Sequence, residues 1–320
     1  LNKDIARHVK ARFCLNEGTH YKYHDELEYA SEAEKWLQMA ATESDKLITS
    51  GRYEIYNTGH PQEDYFNMYR IDDKSDLKEA VLYVDYKTNI REHNMAAAGR
   101  EAGCGFSKSF VESFLCSDGL PISLSNKYLG DETMRKETAN RDPRLKQLIL
   151  TNDFPTNVTD DLKDSTFVVN EDEFITQHCF TGYRPIKGFN PIYSQALYMK
   201  SSFDGIAYRY AETLLINAEA KAELNTITNA DLDRTVNQLR DRVGMPHLTV
   251  NVGFTDPKWP DWGYSLSPVL QEIRRERCIE LAGEGFRFND LKRWKAGKLL
   301  NNVLTYVGKR KPDGNLAIVY

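Results

Sequence analysis

Four acidic side chains near the end of the chain have a spacing that could do chemistry. Glu276, Glu280 and Glu284 recur every four residues, and Asp290 follows. A spacing of four places side chains on one face of a helix. Two carboxyl groups roughly 5–10 Å apart across a glycosidic bond form the catalytic pair of a glycoside hydrolase. A glycosidase is therefore one hypothesis for this stretch.

Basic residues interleaved with these acids favour a different interpretation. Arginine and carboxylate groups that pair bidentately can fix the register of neighbouring helices. We therefore predict a structural ion-pair network here, in preference to catalysis. The predicted network comprises Glu272, Arg275, Glu276, Arg277, Glu280, Arg287, Asp290 and Arg293.

Aromatic residues on predicted loops form the second candidate site. They are Tyr65 and Tyr69 in one segment, and Trp259 and Trp262 in another. Exposed aromatic faces can stack on the apolar faces of sugar rings, as they do on nucleic-acid bases. The same rings could instead pack the loops onto helices, and the sequence leaves both interpretations open.

A polar segment, Asn89–Gly105, offers hydrogen-bonding groups for the same ligand. It carries Arg91, His93, Asn94 and Arg100, although such side chains can also be simply solvated.

Metal and cofactor chemistry is not predicted. The seven histidines include no H-E-x-x-H, and no glycine-rich phosphate loop follows a strand. His20 and His24 would share a face only if the first helix continued past Gly18, where we predict a turn. The five cysteines include no C-x-x-C pair, so neither a disulfide framework nor a zinc site is predicted.

Helices at both ends of the chain must position these candidates. Apolar residues at helical spacing predict two helices over 1–16 and 25–50, joined by a turn at Gly18–Tyr23 and ended by Gly51. Ile5, Val9 and Phe13 form the predicted apolar stripe of the first helix.

The middle of the chain predicts a loop-rich region. Ala80–Lys87 has the Val- and Tyr-rich composition of a buried strand, and Thr166–Val169 and Ile192–Met199 are possible short strands.

Helices return at Tyr208. Thr228 with Asp231 predicts a capping box for a helix that ends at Gly244. Ser267 and Pro268 then begin the charged helix, and a short helix over 299–304 follows.

Composition limits the class of protein. The 320 residues carry a net charge of −5, which argues against a general nucleic-acid partner. The chain shows no signal peptide, no lipid-attachment cysteine and no apolar run of transmembrane length. It begins inside a predicted helix, so we expect a missing N-terminal part.

Three segments resemble the C-terminal signatures of the SusD/RagB family of nutrient-binding outer-membrane lipoproteins of Bacteroidetes. They are RYAETLLINAEA at 209–220, NQLRDRVG at 237–244 and RRERCIELAGEGFRFNDLKRW at 274–294. Members are usually longer, and the N-terminal lipid anchor and the closing segment have no counterpart here. We therefore interpret the chain as a fragment that lacks both ends of a longer protein.

The resemblance implies a mainly α fold, with tetratricopeptide-type helix pairs beside an irregular region of loops and short strands. The expected organisation is one domain over 1–320, comprising a helical hairpin (1–52), a loop-rich ligand-binding region (53–205) and a helical signature region (206–320). The implied structural signature residues are Arg209, Glu212, Glu280, Glu284, Arg287, Asp290 and Arg293.

The function implied by the resemblance is non-catalytic oligosaccharide binding at the outer membrane, on the extracellular side. The ligand would pass to a SusC-like TonB-dependent β-barrel, and a lipid anchor outside this chain would hold the protein. The glycan-binding candidates are Tyr65, Tyr69, Arg91, His93, Asn94, Trp259 and Trp262. A helical-repeat interaction scaffold, a peptide binder and, less favoured, a glycoside hydrolase remain as alternatives.

Overall fold

The computed structural model describes residues 2–96 and 105–318, and these residues are mainly helical. In chain order their α-helices, α1 to α11, are Lys3–Tyr23, Ala33–Ile48, Asp64–Asn67, Lys108–Glu112, Met134–Thr138, Arg144–Leu148, Tyr210–Glu223, Asn229–Asp233, Val236–Arg242, Pro268–Glu280 and Arg287–Arg293. Short 3-10 helices are Asp25–Leu27, Ala30–Glu32, Met68–Arg70, Glu171–Phe174, Gly297–Asn301 and Val303–Thr305.

The strands are short and pair only in twos. They are β1 to β6, at Ala80–Val84, Asn157–Val158, Ser165–Thr166, Gly205–Arg209, Val307–Arg310 and Leu316–Ile318. The pairs are β1 with β4, β2 with β3 and β5 with β6. This helical architecture with short strands confirms the predicted fold class.

The chain divides into two compact units, each built from three chain segments. Unit 1 comprises 1–57, 76–83 and 206–301, and unit 2 comprises 58–75, 84–205 and 302–320. The regions expected from the sequence were contiguous in the chain, and the expected single-domain organisation stays a prediction.

The first helix is longer than predicted. It continues through Gly18 to Tyr23, so the expected turn at Gly18–Tyr23 is wrong. A Cβ on Gly18 would lie 2.8 Å from Leu37 Cγ, so this glycine allows α1 and α2 to approach closely. His20 therefore lies on the helix, and its ring stacks on that of His24 at 4.1 Å.

The predicted apolar stripe of α1 is also wrong in part. Ile5 is buried, but Val9 and Phe13 are 41% and 54% exposed. The packed face instead carries Ala11, Cys14 and Leu15, which join Leu37 and Ala40 of α2 and two residues of α7 in one cluster. Small side chains such as Ala11 and Cys14 occupy the contact with α2, because they let the two helices approach closely.

The second helix begins later than predicted, at Ala33, after the two 3-10 turns over 25–32. Gly51 follows its end with φ of 64°, as a stop residue should.

Helix α7 is the centre of unit 1. Thirteen of its fourteen residues are buried, and its apolar side chains join those of α8, α9 and α10 in the largest apolar cluster of the unit. Each fully buried Leu or Ile contributes about 1.5–3 kcal/mol. The capping box of Thr228 with Asp231 and the Ser267 cap with Pro268 are both present as predicted.

Other sequence predictions need correction. Ile192–Met199 forms turns rather than a strand, because the Ala196 amide bonds to the Ile192 and Tyr193 carbonyls within the segment. Ala80–Lys87 shortens to β1, of which only Val81 is buried. The predicted helix after Thr228 divides into α8 and α9, and 299–304 forms 3-10 turns. Much of the predicted loop Asn89–Gly105, with Arg100, lies outside the described residues.

Candidate functional site

The predicted charged network is present in unit 1, and Arg209 stands at one end of it. Its Nη1 donates to Glu280 Oε1 at 2.6 Å and to Glu79 Oε1 at 3.0 Å. Its Nε and Nη2 donate to Glu284 at 2.9 and 2.7 Å. Glu280 also accepts from Arg242 at 2.6 Å, so each carboxylate oxygen of Glu280 has a cationic partner.

Arg293 organises the other end of the network. It holds Glu219 bidentately at 2.5 and 2.7 Å and donates from Nε to Asp290 at 2.9 Å. Asp290 accepts from Arg277 as well, at 3.0 Å. Burial raises the pKa of Glu219, but the charges and hydrogen bonds of the arginines more than offset it, so the net shift is downward.

Glu212 belongs to a third buried pairing, with the first helix. Its Oε2 lies 2.8 Å from His8 Nε2, and Arg12 Nε donates to its Oε1 at 2.6 Å. Burial raises the pKa of this carboxyl, but His8 and Arg12 outweigh burial and lower the pKa to about 2. The pair joins α1 to α7.

Arg287 departs from the prediction. It is exposed, and among the described residues it forms no ion pair; its guanidinium lies 6.0 Å from the Trp294 ring centre. It is the first residue of α11, which buries only Asp290 and Arg293.

The burial of these carboxylates does not fit glycoside hydrolysis. Glu276, Glu280 and Asp290 are 2%, 0% and 3% exposed. A catalytic carboxyl group must contact the sugar, whereas these oxygens contact arginines. The geometry supports the structural interpretation of the network.

Trp259 and Trp262 lie in unit 1, where they pack their loop against helix α10. Packing of this kind was the alternative to stacking on a ligand. Trp262 is 4% exposed and donates from Nε1 to Gln271 at 2.6 Å. Trp259 is half-buried and donates to Glu272 at 2.7 Å. Trp262 has no ring face open to a sugar.

Arg274 explains why this loop is held so closely. Its guanidinium carbon lies 4.3 Å from the Trp294 ring centre, 4.8 Å from Trp262 and 5.0 Å from Tyr23. It also donates to Glu223 at 2.9 Å. Cation–π contacts of this kind strengthen when they are desolvated.

Tyr65 and Tyr69 lie in unit 2, and only Tyr69 remains accessible. Tyr65 is fully buried in α3, so the expectation of an exposed loop ring is wrong for it. Tyr69 packs edge-on against Tyr65 and is half-buried. Lys187 covers both, with Nζ 2.9 Å from the Tyr65 hydroxyl and 4.6 Å from the Tyr69 ring centre.

The polar candidates of unit 2 differ in what they offer a ligand. Arg91 is exposed, with its guanidinium 4.8 Å from the Tyr86 ring centre. His93 donates from Nε2 to the Phe203 carbonyl at 2.8 Å and accepts from the Met95 amide at 3.1 Å, so it is neutral and fully used. Burial lowers the pKa of His93, in agreement with that state.

Asn94 keeps a group for a ligand. Its Oδ1 accepts from the Met199 amide at 3.1 Å. Within the ranges 2–96 and 105–318, no acceptor is bonded to its amide nitrogen.

The structure adds two tyrosines that the sequence interpretation missed. Tyr193 and Tyr198 are 51% and 72% exposed, on the segment we predicted as a strand. The Met199 bond to Asn94 places Tyr198 next to that residue in the fold, and the Tyr193 amide bonds to Val158. The sequence signal that could have identified them is the presence of two tyrosines in a loop-rich stretch that contains proline.

The accessible candidates of unit 2 are therefore Tyr69, Arg91, Asn94, Tyr193 and Tyr198. Together they supply exposed rings for stacking and guanidinium or amide donors for hydroxyl groups. Predicted candidates that lie in unit 1 use their polar groups within that unit.

The described residues contain neither a metal site nor a membrane-spanning helix. No group of three or more His, Cys, Asp or Glu is arranged to hold a metal ion. No described helix has the length and apolar composition needed to cross a bilayer. The described cysteines form no disulfide with one another, and Cys104 lies outside these residues.

Comparison with solved structures shows a shared fold. A SusD-like protein from Bacteroides fragilis is 23% identical with a TM-score of 0.64, over 93% of this chain and 55% of that one. A SusD-like carbohydrate-binding protein from Bacteroides fragilis is 20% identical with a TM-score of 0.66, over 100% of this chain and 60% of that one. A crystal structure with a xylogluco-oligosaccharide is 15% identical with a TM-score of 0.59, over 94% and 53%.

This chain thus spans between about half and two thirds of the length of these proteins. The family model described as the SusD family matches residues 38–315. A search of curated proteins found no match.

Proposed function

This chain belongs to the SusD family, and we propose that it binds an oligosaccharide without cleaving it. The observation that carries the proposal is the exposed ring of Tyr198, which the bond between the Met199 amide and Asn94 places beside that residue. The amide nitrogen of Asn94 is bonded to no acceptor that the structure describes, and the exposed Tyr193 belongs to the same segment as Tyr198. Exposed rings with adjacent neutral donors suit the alternating apolar faces and hydroxyl edges of sugars. Two of the similar structures support the ligand class, since one is a carbohydrate-binding protein and one contains a xylogluco-oligosaccharide.

The binding surface in this proposal consists of Tyr69, Arg91, Asn94, Tyr193 and Tyr198. Trp259 and Trp262 hold their loop in unit 1, and Tyr65 and His93 support their neighbours in unit 2. The buried carboxylates of α10 and α11 serve as structural partners of arginines, which favours binding over hydrolysis.

The partner and the location are further parts of the proposal. We infer that the full-length protein sits on the outside of the outer membrane through a lipid anchor. There it would deliver the glycan to a SusC-like TonB-dependent barrel. Co-purification of the full-length protein with such a barrel encoded beside it, and radiolabelled palmitate incorporation, test these two points.

A glycan array followed by titration calorimetry tests the ligand. We expect at least one neutral oligosaccharide to bind, and Tyr193→Ala with Tyr198→Ala to weaken it tenfold or more, which equals about 1.4 kcal/mol. Tyr29→Ala is the matched control, because Tyr29 is an exposed tyrosine of unit 1. Binding of peptides but of no glycan would overturn the proposal, as would hydrolysis of a glycan by the protein.

A further inference from the structure

Unit 1 contains a cavity that is lined by none of the ligand-binding residues predicted from the sequence. Its volume is about 650 Å³, within the usual range of small-molecule sites. Residues from the end of α2, the segment 53–57, the start of α7 and the α8–α9 region line it.

The apolar wall of this cavity is preformed. The rings of Tyr53 and Tyr210 stack with centres 5.9 Å apart and planes 27° apart. Tyr53, Ile48 and Ile55 are partly buried and pack against the apolar cluster around α7. The wall therefore needs no rearrangement before a ligand arrives.

Two polar groups at this wall lack partners. Tyr210 is 3% exposed, and its hydroxyl is bonded to no residue that the structure describes. Gln238 donates its amide to the Arg234 carbonyl at 3.0 Å, but its Oε1 has no described donor. Burial raises the pKa of Tyr210 to about 12, with nearby Arg234 acting against that rise. Neither group has to give up a protein partner to bond to a ligand.

The charged residues of the rim already have partners. The pairs are Arg234 with Asp45 at 3.0 Å, Asp241 with His247 at 2.7 Å and Glu54 with Lys78 at 2.9 Å. An anionic or zwitterionic ligand would have to compete with these pairs. The groups that remain for a ligand are a hydroxyl and an amide oxygen, both of which are neutral.

We propose that this cavity binds a neutral, hydroxyl-rich small molecule of the mono- or disaccharide class. The aromatic wall would contact one sugar face, while the Tyr210 hydroxyl and Gln238 Oε1 would bond to ring hydroxyls. The site shares no residue with the surface of unit 2 and does not depend on the proposed function.

Titration of protein labelled with ¹³C at the isoleucine δ1 methyl groups tests the cavity directly. We expect the Ile48 and Ile55 resonances to shift and saturate with cellobiose or maltose, and not with glutamate. No shift with either disaccharide, or a stronger response to glutamate, would overturn the proposal.

A variant locates the contact. Gln238→Leu removes the amide oxygen at similar size and should weaken the methyl response about tenfold. Gln38→Leu, on the exposed side of α2, should leave it unchanged. An unaltered response in Gln238→Leu would contradict the assignment. The response should also persist in the Tyr193→Ala, Tyr198→Ala variant, so failure of the unit 2 surface and failure of this cavity give different results.

Discussion

Arg209 binds Glu280 at two points, with Nη1 2.6 Å from the carboxylate Oε1 and Nη2 2.6 Å from the main-chain oxygen. Arg209 ends β4 and precedes α7, while Glu280 ends α10. The guanidinium therefore neutralises a buried carboxylate and satisfies a carbonyl at the C-terminal end of a helix, where positive charge is favourable.

Removal of the Glu280 charge should destabilise unit 1. Glu280→Gln leaves Arg209 and Arg242 buried with one fewer anion, and breaking such pairs typically costs about 3–5 kcal/mol. Denaturant unfolding followed by circular dichroism measures this loss. Glu284→Gln is the control, because Glu284 is 20% exposed and water can replace it. Equal losses in both variants would contradict the central position of Glu280.

Glu212 should make stability depend on acid pH. Its pKa of about 2 lies below its ordinary value, so its contribution is complete above about pH 4.5 and disappears as the pH falls towards 2. The shift corresponds to roughly 3 kcal/mol. The difference in unfolding free energy between wild type and Glu212→Gln should shrink between pH 6 and pH 3. A difference independent of pH, or the same trend for exposed Glu34→Gln, would refute this.

Gly18→Ala should destabilise the helical hairpin. The new methyl would lie 2.8 Å from Leu37 Cγ and 3.0 Å from its main-chain nitrogen. Overpacking typically costs about 1–3 kcal/mol, which exceeds the gain of about 1 kcal/mol that alanine offers within a helix. Thermal unfolding provides the measurement. Gly297→Ala, where nothing lies within 4 Å, should have little effect, and a stabilised Gly18→Ala would show that the helices can separate.

Arg274→Leu should loosen the Trp262 loop. The change leaves the buried Glu223 without its Arg274 bond, at 2.9 Å, and removes a cation from among the aromatic rings. We expect the free energy of unfolding to fall by about 3–5 kcal/mol. We also expect tryptophan emission to move to longer wavelength, because water reaches Trp262. Arg287→Leu is the control, because Arg287 is exposed and lies 6.0 Å from the Trp294 ring centre. It should change the free energy of unfolding by less than about 0.5 kcal/mol. Unchanged emission in Arg274→Leu would contradict the contact.

Local sequence signals predicted much of the fold. The features that were not predicted depend on contacts with residues of other helices or loops. The cap at Ser267 and the capping box at Thr228 depend on neighbouring residues alone, so the sequence was sufficient. Gly18 looked like a helix end because its role depends on Leu37, which belongs to another helix.

The candidate site was less predictable for the same reason. Tyr65 and Trp262 lie in segments that the sequence predicted as loops, but both rings contact side chains outside those segments. Lys187 is 122 positions from Tyr65 in the chain, and Arg274 belongs to α10. Tyr198 was missed because long-range contacts place it beside the polar segment, among them the bond between Met199 and Asn94 and the bridge between His93 and Ser201.

The pairing of His8 with Thr213, across 205 positions of the chain, has a consequence for biosynthesis. At about 5–20 residues per second, a ribosome needs roughly 10–40 s to make the second partner after the first. Helices α1 and α2 must wait that long with an apolar face uncovered. Closure of so long a loop slows folding, so we expect the nascent hairpin to depend on a chaperone until α7 has been made.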